Sequence, residues 1–227
     1  MKKEEVRARI EEIGIIPAIR VSTAEDARFA AEAVSRAGIP IVEISMTVPG
    51  AIEVISHLAA HAKDMIVGAG SVIDVEMAHQ CLAAGANFLT SDGLDVKVVE
   101  LAVKGNVAVL PGTLTPTEVI AAWKAGADFV KVVPCSQVGG DSYIRALKAM
   151  LPHVPLIAAG GVNQQTAVNF ILAGASALGV GTELISKEAI RLRQAERTRV
   201  LAHRFLGYVK TARAQMGRST EPIGVRK

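Results

Sequence analysis

A chain of 227 residues with 50% hydrophobic content is long enough to bury a sizeable core as one domain. Its 25 basic and 22 acidic residues leave a net charge of +3, a balance that argues against nucleic-acid binding. Two cysteines without a pairing pattern, a charged start and no uncharged apolar run of the ~18 residues a membrane span needs together predict a cytoplasmic protein with no membrane partner.

Residues 2–13 place Val6, Ile10 and Ile13 at helical spacing among charges, with Gly14 as a stop, and predict a short helix ahead of the main fold. Residues 15–21 read as a first strand with Arg20 at its end, and Ser22 or Thr23 suits the cap of the helix that runs to Gly38. The pattern then repeats. Strands are predicted at 39–45, 65–68, 87–90, 107–110, 128–134, 155–158 and 175–180. Helices are predicted at 51–62, 75–84, 94–104, 116–124, 142–151 and 164–172, with a longer final helical region from 188 to about 215. Ala37-Gly38, Ala84-Gly85, Lys104-Gly105, Ala125-Gly126 and Ala173-Gly174 each offer a glycine for the left-handed residue that closes a helix.

The strands after these glycines are brief and apolar, as expected when helices cover both faces of a parallel sheet. The fold class is therefore α/β. Eight βα units match a closed (β/α)8 TIM barrel better than a doubly wound open sheet, which uses fewer strands at this length. The expected organisation is a single barrel domain over residues 1–216, including the N-terminal helix and the extended C-terminal helical region, with a flexible tail at 217–227 rich in glycine, serine and proline.

Barrels of this kind carry their chemistry at the C-terminal ends of the strands. Alternation along the second strand puts Ile41, Glu43 and Ser45 on one face, and along the sixth it groups Phe129, Lys131 and Val133. The second and sixth strands lie opposite each other in an eight-membered ring, so Glu43 and Lys131 could meet near the axis. Two readings stand at this point: a neutral lysine acting as a nucleophile beside its acid/base partner, or a structural ion pair with a snorkelling lysine. Gly160-Gly161 after the seventh strand and Gly179-Val180-Gly181-Thr182 after the eighth occupy the place where barrels often hold phosphate; the alternative is a pair of tight turns. His57 and His61 have i,i+4 spacing with no convincing third ligand, so no metal is expected.

Taken together, these segments resemble the 2-keto-3-deoxy-6-phosphogluconate/4-hydroxy-2-oxoglutarate aldolase family of Schiff-base (class I) pyruvate aldolases. The likeness rests on Val42-Glu43-Ile44-Ser45-Met46-Thr47-Val48-Pro49, Val67-Gly68-Ala69-Gly70-Ser71-Val72, Leu110-Pro111-Gly112 with Pro116-Thr117-Glu118, Phe129-Val130-Lys131 with Pro134, and Gly160-Gly161-Val162-Asn163. The resemblance implies a lyase that splits 2-keto-3-deoxy-6-phosphogluconate into pyruvate and glyceraldehyde 3-phosphate, as in the Entner–Doudoroff route. The phosphogalactonate epimer and 4-hydroxy-2-oxoglutarate are alternative substrates. A phosphosugar isomerase or a binding protein on the same barrel are alternatives of another kind.

By the same resemblance Lys131 forms the imine and Glu43 moves the protons. Arg20, Thr47, Ser71, Pro111, Gly160, Gly161, Gly181 and Thr182 contact the substrate, no cofactor or metal is needed, and the assembly is a homotrimer. Three positions depart from the family pattern: Val133 stands for a usual phenylalanine, Asp92 for a usual proline and Ala159 for a usual threonine.

Overall fold

The computed structural model of the protein describes residues 1–219. Nine parallel strand segments form one sheet: β1 (Ile15–Ile19), β2 (Ile41–Ser45), β3 (Ile66–Gly70), β4 (Phe88–Thr90), β5 (Ala108–Leu110), β6 (Gly112–Thr113), β7 (Val130–Val132), β8 (Leu156–Ala159) and β9 (Ala175–Val180). Their order is β5-β4-β3-β2-β1-β9-β8-β7-β6. The two ends of that order are consecutive in the chain with only Pro111 between them, so the sheet curls into a ring of eight strand positions. Proline has no N–H to give a neighbouring strand, which is why the fifth position is split. Its carbonyl still accepts the Lys131 amide at 2.9 Å, so the path stays anchored to β7.

Helices α2 (Ala24–Arg36), α3 (Ala51–His61), α4 (Val75–Ala83), α5 (Val96–Lys104), α6 (Pro116–Lys124), α7 (Asp141–Met150) and α8 (Ala167–Leu172) cover the ring. Their starts are written locally. Thr23, Asp74, Asp95 and Thr115 each accept a backbone N–H of the following helix, and Thr115 with Glu118 completes a capping box. Their ends mostly follow expectation, with Gly38, Gly85, Gly126 and Gly174 all at positive φ. Gly105 departs from it: its φ is −79°, and Asn106 takes the left-handed conformation instead at φ 52°. Asparagine is among the few residues with a Cβ that enter that region readily.

The expected single helical region at the C-terminus is two helices, α9 (Lys187–Arg191) and α10 (Ala195–Ser219). The break falls at Arg193, at φ 54°, whose guanidinium reaches back to Glu25 and Asp26 at the start of α2. Residues 217–219, expected in the tail, continue α10; the remainder of that tail lies outside the described residues. Among the described residues no helix is long and apolar enough to cross a membrane.

Helix α1 (Lys3–Ile13) packs Val6, Ile10 and Ile13 against β5 and β9, away from the strands' C-terminal ends. Asp128 joins it to the barrel. This carboxylate is 3% exposed, accepts the Val109 amide at 3.0 Å and pairs with Lys3 at 3.1 Å and Arg7 at 3.6 Å. From the other side Arg213 of α10 donates to the carbonyls of Glu11 and Glu12, which the end of α1 leaves without helical partners.

Asp128→Ala strips a buried N–H and a largely buried ammonium of their acceptor. The variant is expected to unfold in urea with about 1–3 kcal/mol less stability than the natural protein. Unchanged stability would contradict the docking role of this carboxylate.

Candidate active site

The C-terminal ends of the strands surround a cavity of about 350 Å3. Arg20 enters it just beyond β1, Glu43 from the middle of β2, Asp92 from the loop after β4 and Lys131 from the middle of β7. Ala159 through Asn163 and Gly179, Gly181 and Thr182 wall the opposite end. Six of the residues that the sequence singles out for contact or catalysis on this face therefore share one wall system with Lys131: Glu43, Arg20, Gly160, Gly161, Gly181 and Thr182.

Lys131 is 4% exposed, and its ammonium nitrogen lies 3.1 Å from Asp92 Oδ1. A Lys131–Glu43 ion pair, one of the two readings the sequence left open, is absent: the carboxylate within 4 Å of Lys131 Nζ belongs to Asp92. The loop after β4 swings Asp92 across the mouth of the ring, and a buried ammonium takes the nearest available counter-charge. Glu43 is left in a different state. It is 4% exposed and its Oε1 has no hydrogen-bond partner. It packs directly over Gly70, where a Cβ would lie 2.2 Å from that oxygen, so the glycine creates the space the carboxylate uses.

Asp92 holds more than the lysine. Arg20 Nη2 lies 3.0 Å from each of its oxygens, and Ser71 Oγ donates to Oδ2 at 2.8 Å. Burial pushes the Asp92 carboxyl up, but the Lys131 ammonium, the Ser71 hydroxyl and the Arg20 guanidinium outweigh it and hold the group below its ordinary value of 3.8. Ser71 sits at φ 58°, a conformation disfavoured for a residue with a Cβ, and its hydroxyl is fixed from both sides. Because a hydroxyl has one proton, the donation from Ser71 to Asp92 orders the chain behind it. Ser45 must then donate to Ser71 at 3.1 Å, and Thr47 to Ser45 at 2.8 Å.

Thr47, Ser71 and Pro111 are not among the residues that line the cavity, though Ser71 is tied to two that are, Arg20 and Asp92. Thr47 is outside the cavity lining, at the far end of the hydroxyl chain. Pro111 lines a separate pocket behind Leu89 and Val109, and its part here is the carbonyl that fixes the Lys131 backbone. Val133, Asn163, Glu183 and Ile185 also line the cavity, and the sequence reading gave none of them a contact. At the far end Gly160 and Gly161 have φ of 76° and 90°, and a Cβ on Gly161 would strike Ser136 at 2.2 Å. This tight turn is open only to glycine and lines the cavity. Among the described residues no group of three or more His, Cys, Asp or Glu side chains is placed to hold a metal ion, and His57 and His61 stack on each other in α3.

The depressed Asp92 carboxyl has a consequence for acid stability. The group adds stability that is complete above its ordinary value of 3.8 and is lost as pH falls through its lower folded value. Its side chain is 42% exposed. Screening by solvent therefore keeps the contribution within about 1 kcal/mol. Urea unfolding between about pH 3 and 6 should show the gap between the natural protein and Asp92→Asn closing below about pH 4. A gap that widens toward acid would contradict this assignment.

The chain is similar in sequence and fold to known proteins. A family model described as "Aldolase: KDPG and KHG aldolase" matches residues 6–201. The chain is 32% identical over 172 residues to the 2-dehydro-3-deoxy-6-phosphogalactonate aldolase of Escherichia coli, covering 75% of this chain and 83% of that protein. It is 30% identical over 162 residues to the 2-dehydro-3-deoxy-phosphogluconate aldolase of Treponema pallidum, covering 71% and 77%. Its structure matches that of the KDPG aldolase of Legionella pneumophila, captured with pyruvate as a covalent carbinolamine, with a TM-score of 0.80 at 27% identity over 86% of this chain and 95% of that one. The match spans nearly every strand and helix that builds the cavity, and the chain belongs to the KDPG and KHG aldolase family.

Proposed function

We propose that this protein is a class I pyruvate aldolase that cleaves 2-keto-3-deoxy-6-phosphogluconate to pyruvate and glyceraldehyde 3-phosphate through an imine on Lys131. The observation that carries this reading is the pairing of a buried lysine with a buried carboxylate oxygen that has no partner, both facing one cavity. An orphaned acceptor in such a place costs stability unless a ligand hydroxyl or water completes it. Glu43 is that acceptor.

Lys131 gives up its ammonium proton to Glu43 through solvent, the neutral amine attacks the keto carbon, a C–N bond forms as the carbonyl π bond breaks, and Glu43 returns that proton to the former carbonyl oxygen. Loss of water yields the protonated imine. Glu43, now a carboxylate, takes the proton of the C4 hydroxyl. The C3–C4 bond breaks, and its electron pair flows into the imine to give an enamine as the aldehyde departs. Glu43 returns the proton to C3, and water releases pyruvate. Arg20 and Ser71 are the donors for the substrate carboxylate. Gly160, Gly161, Gly181 and Thr182 receive the phosphate at the far end through backbone N–H groups and a hydroxyl. The proton chemistry is complete within this residue set, so the scheme calls on no metal or organic cofactor.

The galactonate epimer is a second reading, favoured by the 32% identity to the Escherichia coli enzyme named for it. The two differ in the configuration of the hydroxyl that Glu43 deprotonates, so the ratio of kcat/KM for the two phosphorylated acids separates them. The family resemblance also carries a homotrimer. Light scattering should then give three times 23.8 kDa, and a value of 23.8 kDa would contradict it.

Incubation with pyruvate and borohydride, followed by intact mass and peptide mapping, is expected to place one reduced pyruvyl group on Lys131. Lys131→Ala should lose both the adduct and at least about a thousandfold in turnover. Glu43→Gln should lose about 10²–10⁴-fold in kcat. No adduct on the folded natural protein, or an adduct on another lysine, would overturn the reading.

A further inference from the structure

We propose that Asp92 is a specificity-determining residue: in the free protein its carboxylate fills the seat of the substrate's carboxylate and must rotate out before a 2-keto acid binds. This rests on the aldolase reading. Its basis is the set of groups that Asp92 engages. Arg20 and Ser71, the two donors assigned to the substrate carboxylate, both point at Asp92, at 3.0 Å and 2.8 Å. The third partner is the nucleophile, Lys131 Nζ at 3.1 Å. In a pyruvyl imine the carboxylate is attached to the carbon that the lysine nitrogen holds. An anion touching both that nitrogen and the arginine–serine pair thus stands where the bound carboxylate would be. Two carboxylates sharing one arginine and one hydroxyl repel each other, so occupation by one excludes the other.

The surroundings allow the side chain to leave and keep the backbone still. Asp92 is 42% exposed and opens to solvent on one side. Its backbone lies against Gly112, where a Cβ would come within 2.4 Å of the Asp92 carbonyl carbon. Ser91 Oγ accepts the Gly112 amide at 3.1 Å and donates to the Gly93 carbonyl, which pins the loop on both sides of Asp92. Rotation of the side chain is therefore the motion that frees the seat. Two effects follow. The free lysine is held against Asp92 until a ligand arrives, and every carboxylate-bearing ligand must compete with Asp92. A ketone without a carboxylate does not need the seat and escapes that competition.

The test compares two ligands on the full-length protein: pyruvate and the neutral ketone hydroxyacetone, each titrated with borohydride while adduct on Lys131 is read by mass. In Asp92→Asn the pyruvate concentration for half-maximal trapping should fall about tenfold, or 1.4 kcal/mol, while that for hydroxyacetone changes by less than about twofold. Asp92→Ala should reproduce the same selectivity and guards against a loop that fails to form in the first variant. An unchanged or raised pyruvate value overturns the proposal, because Asp92 would then assist binding or leave it untouched. Equal falls for both ligands also overturn it, since Asp92 would then act on the lysine alone. In either case an adduct still forms on Lys131 and the aldolase reading stands. Absence of any adduct on the natural protein overturns that reading and this proposal with it.

Discussion

An amine carried on the inner side of a closed barrel must be paired or neutral, and the site is arranged around that constraint. Lys131 rises from the middle of β7 and stays 4% exposed, with Asp92 of the loop after β4 against its amine. The protein meets the constraint with a carboxylate brought from another strand end, Asp92, which is itself secured by Arg20 and Ser71. That leaves Glu43 free of the lysine and with an unsatisfied oxygen. In the proposed mechanism the division separates two roles that one carboxylate would fill poorly: holding the resting lysine and moving protons during turnover.

The barrel supplies the precision. Parallel register sets Glu43 beside Ala18 on one side and Gly68 on the other, and sets Lys131 between Gly112 and Ile157. Small residues flank Glu43 on both sides and Gly112 flanks Lys131 on one, which leaves each side chain room on the crowded inner face. The opposite end of the ring is treated differently. There α1 packs three apolar side chains against the barrel, and its cations meet the Asp128 carboxylate. One end is built for stability and the other for ligands, a separation common to barrels of this class.

Much of this was legible in the chain. The helix-closing glycines, the capping residues and the short apolar strands counted out eight units, and alternation on the second and sixth strands brought Glu43 and Lys131 to one cavity. The split of the fifth strand position at Pro111 was not foreseen, and it emerged only with the ladder in place. The Asp92 contact was not readable. Local sequence places Asp92 on the right face, after the fourth strand, but its approach to Lys131 depends on how far the loop leans over Gly112. That is a tertiary fact with no periodic signature. Thr47 illustrates the same gap: the family resemblance implied a ligand contact, whereas the turn after β2 directs its hydroxyl to Ser45. Asp128 went unremarked because an acidic residue at a strand's start ordinarily faces water; here α1 covers it.

The central claim is that Lys131 and Glu43 together convert a bound keto acid into an enamine. The most direct measurement is proton NMR of pyruvate in D2O with catalytic amounts of the protein. Reversible enamine formation exchanges the methyl protons for deuterium without any aldehyde present. Steady loss of the methyl signal is expected with the natural protein and none above background with Lys131→Ala. A folded natural protein that leaves the methyl signal intact would contradict it.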